Sequence, residues 1–226
     1  MSIFDKYFKR VSINKKDKKT EEFVCCEFNF SELHSVELTW VNSLNPEPKL
    51  YDCSFDDAMS GLDVYALCLK NGFLPDKTSL IFYNNSSNSD DSITGDFDTC
   101  YYEYPGFDES FSLRPDKLNI KYDEIIFAIG RPKTTNEKNA KWIDHEIVKK
   151  VVDETCYVDC RIKKHFSNEY ITIKNIEYKY NAHGAIVLFK FVKNNDIWTI
   201  DLSHNIYYNG LQEIIEKHYK HGTNSV

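Results

Sequence analysis

AIVLFKFVKNNDIWTIDLSHN, residues 185–205, holds two apolar runs on either side of Asn194, Asn195 and Asp196. Branched and aromatic residues fill both runs, and Asn-Asn-Asp is turn chemistry, so the stretch reads as a β-hairpin. The same pattern recurs along the chain. FVCCEFNF at 23–30, SVELTWV at 35–41, DVYALCLKNG at 63–72 and SLIFYNN at 79–85 are short and bounded by turn residues. ESFSLRP at 109–115, YDEIIFAIG at 122–130 and EYITIKNIEYKY at 169–180 follow. SLIFYNN and YDEIIFAIG are nearly continuous apolar runs, as buried strands require. Many strands at roughly ten-residue spacing predict an all-β-dominated fold, a β-sandwich of two mainly antiparallel sheets.

One or two helices are expected near the C-terminal half. Trp142, Ile143, Ile147, Val148 and Val151 make a helical stripe within 136–154. Leu211, Ile214, Ile215 and Tyr219 make a second, with Gly222 beyond it as a stop. Residues 1–22 differ from the rest. Ile3, Phe4, Tyr7 and Phe8 have helical spacing, and Lys15, Lys16, Lys18 and Lys19 form a basic patch. The parse is a leader over 1–22, either a solvated tail or an arm that docks on an anionic partner or membrane surface, and one domain over 23–226.

Hydrophobic residues are 42% of the 226 and charged residues 28%, with a net charge of −7. That is too apolar for a disordered chain and the wrong sign for binding nucleic acid. No apolar run has the 18 residues of a membrane span, and the N-terminus lacks the apolar segment of an export signal. A cytoplasmic protein is therefore expected, with the seven Cys as thiols rather than a disulfide framework.

Between Asn84 and Leu113 there is no Lys or Arg, while Asp90, Asp91, Asp96, Asp98, Glu103, Asp108 and Glu109 supply carboxylates. Asn84, Asn85, Asn88 and several Ser and Thr add oxygens. Many oxygens without competing ammonium groups suit a hard cation such as Ca2+; the alternative is a solvated acidic loop. Asp63, at the edge of an apolar strand, needs a partner, either a cation or a backbone cap. Tyr101, Tyr102, Tyr104 and Phe107 stand in the same stretch and make either a contact surface for a protein partner or a cover over the sandwich mouth.

Enzymatic readings find little support. Cys156-x3-Cys160-x4-His165 lacks a fourth zinc ligand at familiar spacing. His145, His183 and His204 are scattered, and Asp108 and Glu109 are adjacent rather than opposed across a substrate. Only eight Gly are present and no phosphate-binding loop is visible. The expectation is a non-catalytic protein.

LDVYALCL at 62–69, LIFYNN at 80–85 with the Ser/Asp turn and Gly95-Asp96 behind it, and the ending IVLFKFVKNNDIWTIDLSHNIYYNGLQEIIEKHY at 186–219 resemble the TerD family in order and spacing. Trp198, Gly210 and Leu211 fall on the most characteristic positions of that ending. These are tellurite-resistance and general stress proteins, with a β-sandwich that binds Ca2+ through acidic loops. The resemblance spans roughly residues 30 to 222. It implies ligand-bearing positions at Asp63, Asn84, Asp96, Asp108 and Glu109, with Asp98 or Glu103 as compensating acids. Phe97 departs from the family's Asn, Gly61 from its Asp, and CYYEYPGF from its glycine-and-acid-rich centre, so the implied Ca2+ site is weakened or lost. The alternative to a Ca2+ protein is then a metal-free interaction module of the same fold.

Overall fold

Two kinds of apolar pattern build two kinds of sheet. The computed structural model describes residues 26–27, 29–42, 63–97, 109–130, 155–164, 170–179 and 184–218. The leader over 1–22 and the helix expected over 136–154 lie outside these residues. Among the described residues all strand pairs are antiparallel.

The five-stranded sheet has the order β5 (Ile93–Asp96), β6 (Glu109–Leu113), β2 (Leu33–Asn42), β8 (Thr155–Lys164), β9 (Tyr170–Lys179). Its strands alternate. Val36 and Leu38, Phe111 and Leu113, and Val158, Cys160 and Ile162 are buried, while Ser112, Arg161 and Lys163 between them are exposed. One face therefore meets the core and the other meets solvent.

The seven-stranded sheet has the order β1 (Cys26–Glu27), β11 (Ile197–Asp201), β10 (Ala185–Asn194), β7 (Glu124–Gly130), β3 (Asp63–Leu69), β4 (Leu80–Ile81), and β12 (Ile206–Tyr207) pairs with β10. Its central strands are buried on both faces, which is why they read as unbroken apolar runs. Val64, Ala66, Cys68, Ile125, Phe127 and Ile129 face the other sheet. Tyr65, Leu67, Leu69, Ile126 and Ala128 form a second cluster on the outer face. There the helix α2 (Leu211–His218) covers them with Leu211 and Ile214. The end of this helix is clasped to the β3–β4 turn: its His218 carbonyl accepts from the Leu74 amide at 2.9 Å and its ring Nδ1 lies 3.0 Å from the Gly72 carbonyl.

The hairpin read from 185–205 is present. Asn194 pairs with Ile197 around a two-residue turn, and Asn195 and Asp196 both have positive φ, 48° and 66°. Two positive φ values match the strand twist of a type I′ turn, and Asn and Asp tolerate them. A register shift between Val187 and Phe189 lets both Leu188 and Phe189 face the inner core.

Some elements were not visible beforehand. β8 and β5 were missed, SLIFYNN contributes only the two residues of β4, and a short helix α1 (Pro115–Lys121) precedes β7. Pro at its first position, Asp116 in its first turn and Lys121 in its last are signals that point to it.

The inner core is aromatic. Phe127, fully buried, stacks on Phe189 with centroids 4.8 Å apart and meets Phe111 and Phe191 edge-on at 5.3 and 5.7 Å. Truncating so central a ring leaves a cavity between the sheets. Phe127→Ala is expected to lower the unfolding free energy by about 3–5 kcal/mol, read from urea denaturation.

Candidate functional site

The strand ends decide which side chains meet. In the seven-stranded sheet, Asp63 pairs with Gly130, and Gly130 with Ala185. In the other sheet, Asn42 pairs with Cys156, Cys156 with Tyr178, and Asp96 with Ser110 beside Glu109. The Tyr178 hydroxyl donates to the Gly184 carbonyl at 3.4 Å, which ties these two rows together at one end of the sandwich. The chain leaves or re-enters the described strands at this end for 43–62, 98–108, 131–154 and 180–183. Loops on a rigid scaffold are where binding residues concentrate.

The predicted ligand positions Asp63, Asn84, Asp96 and Glu109 all lie at this end. Asp98, Asp108, Tyr101, Tyr102, Tyr104 and Phe107 lie outside the described residues. The four described positions do not share one face. Asp63 is on the outer face of β3 with Tyr65, whose hydroxyl donates to its carboxylate at 3.0 Å. Burial pushes the Asp63 carboxyl up, and the Tyr65 hydrogen bond opposes this in part. Burial and the Asp63 charge likewise raise the Tyr65 hydroxyl. Asn84 stands exposed in a turn. Asp96 points to the outer, exposed face of β5, whereas Glu109 shares the inner face of β6 with Phe111 and Leu113. Among the described residues no three His, Cys, Asp or Glu gather as a metal-holding group. Their oxygens have the chemistry a hard cation takes, but a shared ion needs further carboxylates, which Asp98 and Asp108 carry in sequence.

Phe97 does not follow Asp96 outward. Its ring packs edge-on to Phe111 at 5.6 Å and fills the space where a side chain on Gly95 would stand, 2.3 Å from an ideal Cβ.

The first half of the acidic stretch is not the open loop that the composition suggested. Asn88, 2% exposed, accepts from the amides of Ser92 and Ile93 at 2.9 and 3.2 Å. Its amide group donates to the Ser92 hydroxyl at 2.7 Å and to the Tyr122 hydroxyl at 3.1 Å. Thr78 Oγ1 accepts from the Ser89 amide at 3.0 Å and donates to Asp76 at 2.6 Å. The expected absence of ammonium groups is corrected by α1. Lys117 Nζ donates to the Asp90 carbonyl at 2.6 Å, and Lys121 Nζ to Ser89 Oγ at 2.9 Å, with Asp76 4.0 Å away. Partial burial works against Asp90 ionising, but the Ser92 hydrogen bonds and the two lysines hold its carboxyl below the usual range. The Thr78 hydroxyl does the same for Asp76, against its own partial burial. These lysines lie just past the window that lacks Lys and Arg, so the window hid them.

The zinc-like spacing dissolves in the fold. Cys160 is buried in the core of β8, and burial raises its thiol as it does that of Cys68. Two exposed aromatics at the loop end went unread: Tyr83, 57% exposed, and Tyr208, 74% exposed beside the β12 pairing. Their exposure, not their type, singles them out.

A family model described as "TerD domain" matches residues 31–218. Two solved structures are similar. One is SAV2460, a protein of unknown function, 13% identical, with TM-score 0.48 over 85% of this chain and 100% of that one. The other is SCO6318 from Streptomyces coelicolor A3(2), a homologue of telluride resistance protein (TerD), 12% identical, with TM-score 0.48 over 84% of this chain and 99% of that one. No curated protein matches.

Asn88→Ala removes a partner from two buried amides and two hydroxyls and is expected to cost about 3 kcal/mol in urea unfolding. Asp63 gives a pH signature. Its folded-state carboxyl is raised above 3.8, so the folded chain holds the proton more tightly than the unfolded one. The resulting penalty grows as pH rises through that window and is full at neutrality. Asp63→Asn, measured with chelator present, is expected to raise Tm at pH 7, with the gain vanishing toward pH 3.

Proposed function

The chain belongs to the TerD family, and from that premise we propose a non-catalytic protein of the tellurite-resistance and stress-response kind, acting in the cytoplasm by binding. The binding surface is the loop end of the sandwich. The observation that carries this reading is the gathering there of the strand ends that bound 43–62, 98–108, 131–154 and 180–183. Exposed Tyr83 and Tyr208 at this end suit contact with a protein partner, and Tyr101, Tyr102, Tyr104 and Phe107 extend that surface in sequence. The non-catalytic reading draws in part on two of the seven thiols: Cys68 and Cys160 are buried and raised, the opposite of an activated nucleophile. Among the described residues no helix is long and apolar enough to cross a membrane.

Calcium is the cation this end would take. Asn84, Asp96, Asp98, Asp108 and Glu109 would hold it, while Asp63 stays with the Tyr65 hydroxyl. The ion supplies charge neutralisation among carboxylates that otherwise repel. Aspartates and a glutamate spread over two faces make a loose site, and loose sites bind in the range of about 10⁻⁴–10⁻³ M. The inward turn of Phe97 favours a second reading, in which the same end contacts proteins with no metal.

Calorimetric titration of Ca2+ into the full chain separates the two. The calcium reading expects saturable heat in that weak range, abolished in Asp96→Asn with Glu109→Gln. A flat titration of the unaltered chain leaves the metal-free module.

A further inference from the structure

Gly95 and Phe97 are both on the inner face of β5 and its extension, with Asp96 between them on the outer face. Gly95 is buried, and the Phe97 ring occupies the volume a Cβ would take: two ring atoms stand 2.3 and 2.4 Å from that position. The ring is held from below by Phe111, 5.6 Å away at 83°, and joins the inner core. On its far edge β5 is fixed by the Gly95 amide, which donates to the Ser86 carbonyl at 2.7 Å. Asp96 is thus flanked by two anchored residues at the point where the chain leaves the sheet.

We propose that Phe97 is a positioning residue for the loop end: seated on Gly95 and Phe111, it fixes the end of β5 and the outward direction of Asp96 without a cation. This rests on the reading of that end as the binding surface. The glycine is required because any side chain at 95 competes with the ring for one space. A large apolar side chain is required at 97 because the anchor is apolar packing, which works whether or not an ion is present. The end of β5 is therefore preset before a ligand arrives, and a ligand meets an Asp96 already aimed.

A double-mutant cycle in chelator tests the contact independently of calcium. Gly95→Ala alone is expected to lower the urea midpoint by about 0.5 M, and by less than about 0.1 M in the Phe97→Ala background, because the contested space is then empty. Hydrogen exchange tests the positioning. Phe97→Ala is expected to speed exchange at the amides of Asp96 and Ser110, paired across β5 and β6, by about tenfold relative to Phe127, with Phe97→Leu restoring most of the protection. Additive costs in the cycle overturn the seat on Gly95. Equal acceleration of all core amides, or none at Asp96, overturns the positioning role. A failed calcium titration with these results intact removes only the cation.

Discussion

Phe127 stands where the two sheets meet, stacked on Phe189 and edge-on to Phe111 and Phe191, and this contact closes the sandwich. It brings together β6 of one sheet and the paired strands β7 and β10 of the other. With the sheets locked there, the outer face of the seven-stranded sheet is left apolar, and α2 must cover it. The same lock fixes the relative position of the strand ends, and so decides that Asp63, Asn84, Asp96 and Glu109 lie at one end. Phe97 extends the aromatic chain from Phe111 to that end. Stability and the layout of that end thus share one set of rings.

The legible parts of the fold were those with a single physical cause. Strands β7 and β10 are covered on both faces, so their sequences are unbroken apolar runs. The Asn195-Asp196 turn needs two positive φ values, and those residue types supply them. Strand β8 was hidden because its solvent face carries Asp159, Arg161 and Lys163, and because Cys156 and Cys160 invite a ligand reading. Cys160 is simply a core position of an alternating strand. Strand β4 came out shorter than SLIFYNN promised. The side chain of Asn85 bonds back to the Leu80 carbonyl, and the chain turns instead of continuing.

The acidic stretch was legible as a unit in composition but not in function. The side-chain oxygens of Asn88, Ser89 and Ser92 are taken by the protein itself: Asn88 closes a buried turn, Ser92 Oγ accepts from the Asn88 amide group, and Ser89 Oγ accepts from Lys121. No count of oxygens distinguishes a ligand from a hydrogen-bond acceptor; only the partners do. Lys117 and Lys121, near in space and outside the charge-free window, balance Asp90 and Asp76. Beyond Gly95 the stretch changes character. Asp96 and Glu109 stand on opposite faces of paired strands, bordering the segment that carries Asp98 and Asp108. Phe97 looked in sequence like a lost ligand. In the sheet pleat it is an inward position with a core contact, which a family comparison by residue type does not reveal.

The acidic stretch divides at Gly95 into a self-supporting network and an edge that carries Asp96 and Glu109. Amide exchange of the unaltered chain in excess chelator tests it most directly. The hydrogen bonds of Ser92 and Ile93 to Asn88, and of Gly95 to Ser86, need no ion. The account predicts that these amides are protected without calcium, and to the same degree after calcium is added. Fast exchange at Ser92 and Ile93 that slows only when calcium is supplied would contradict it, because the whole stretch would then be one cation-ordered loop.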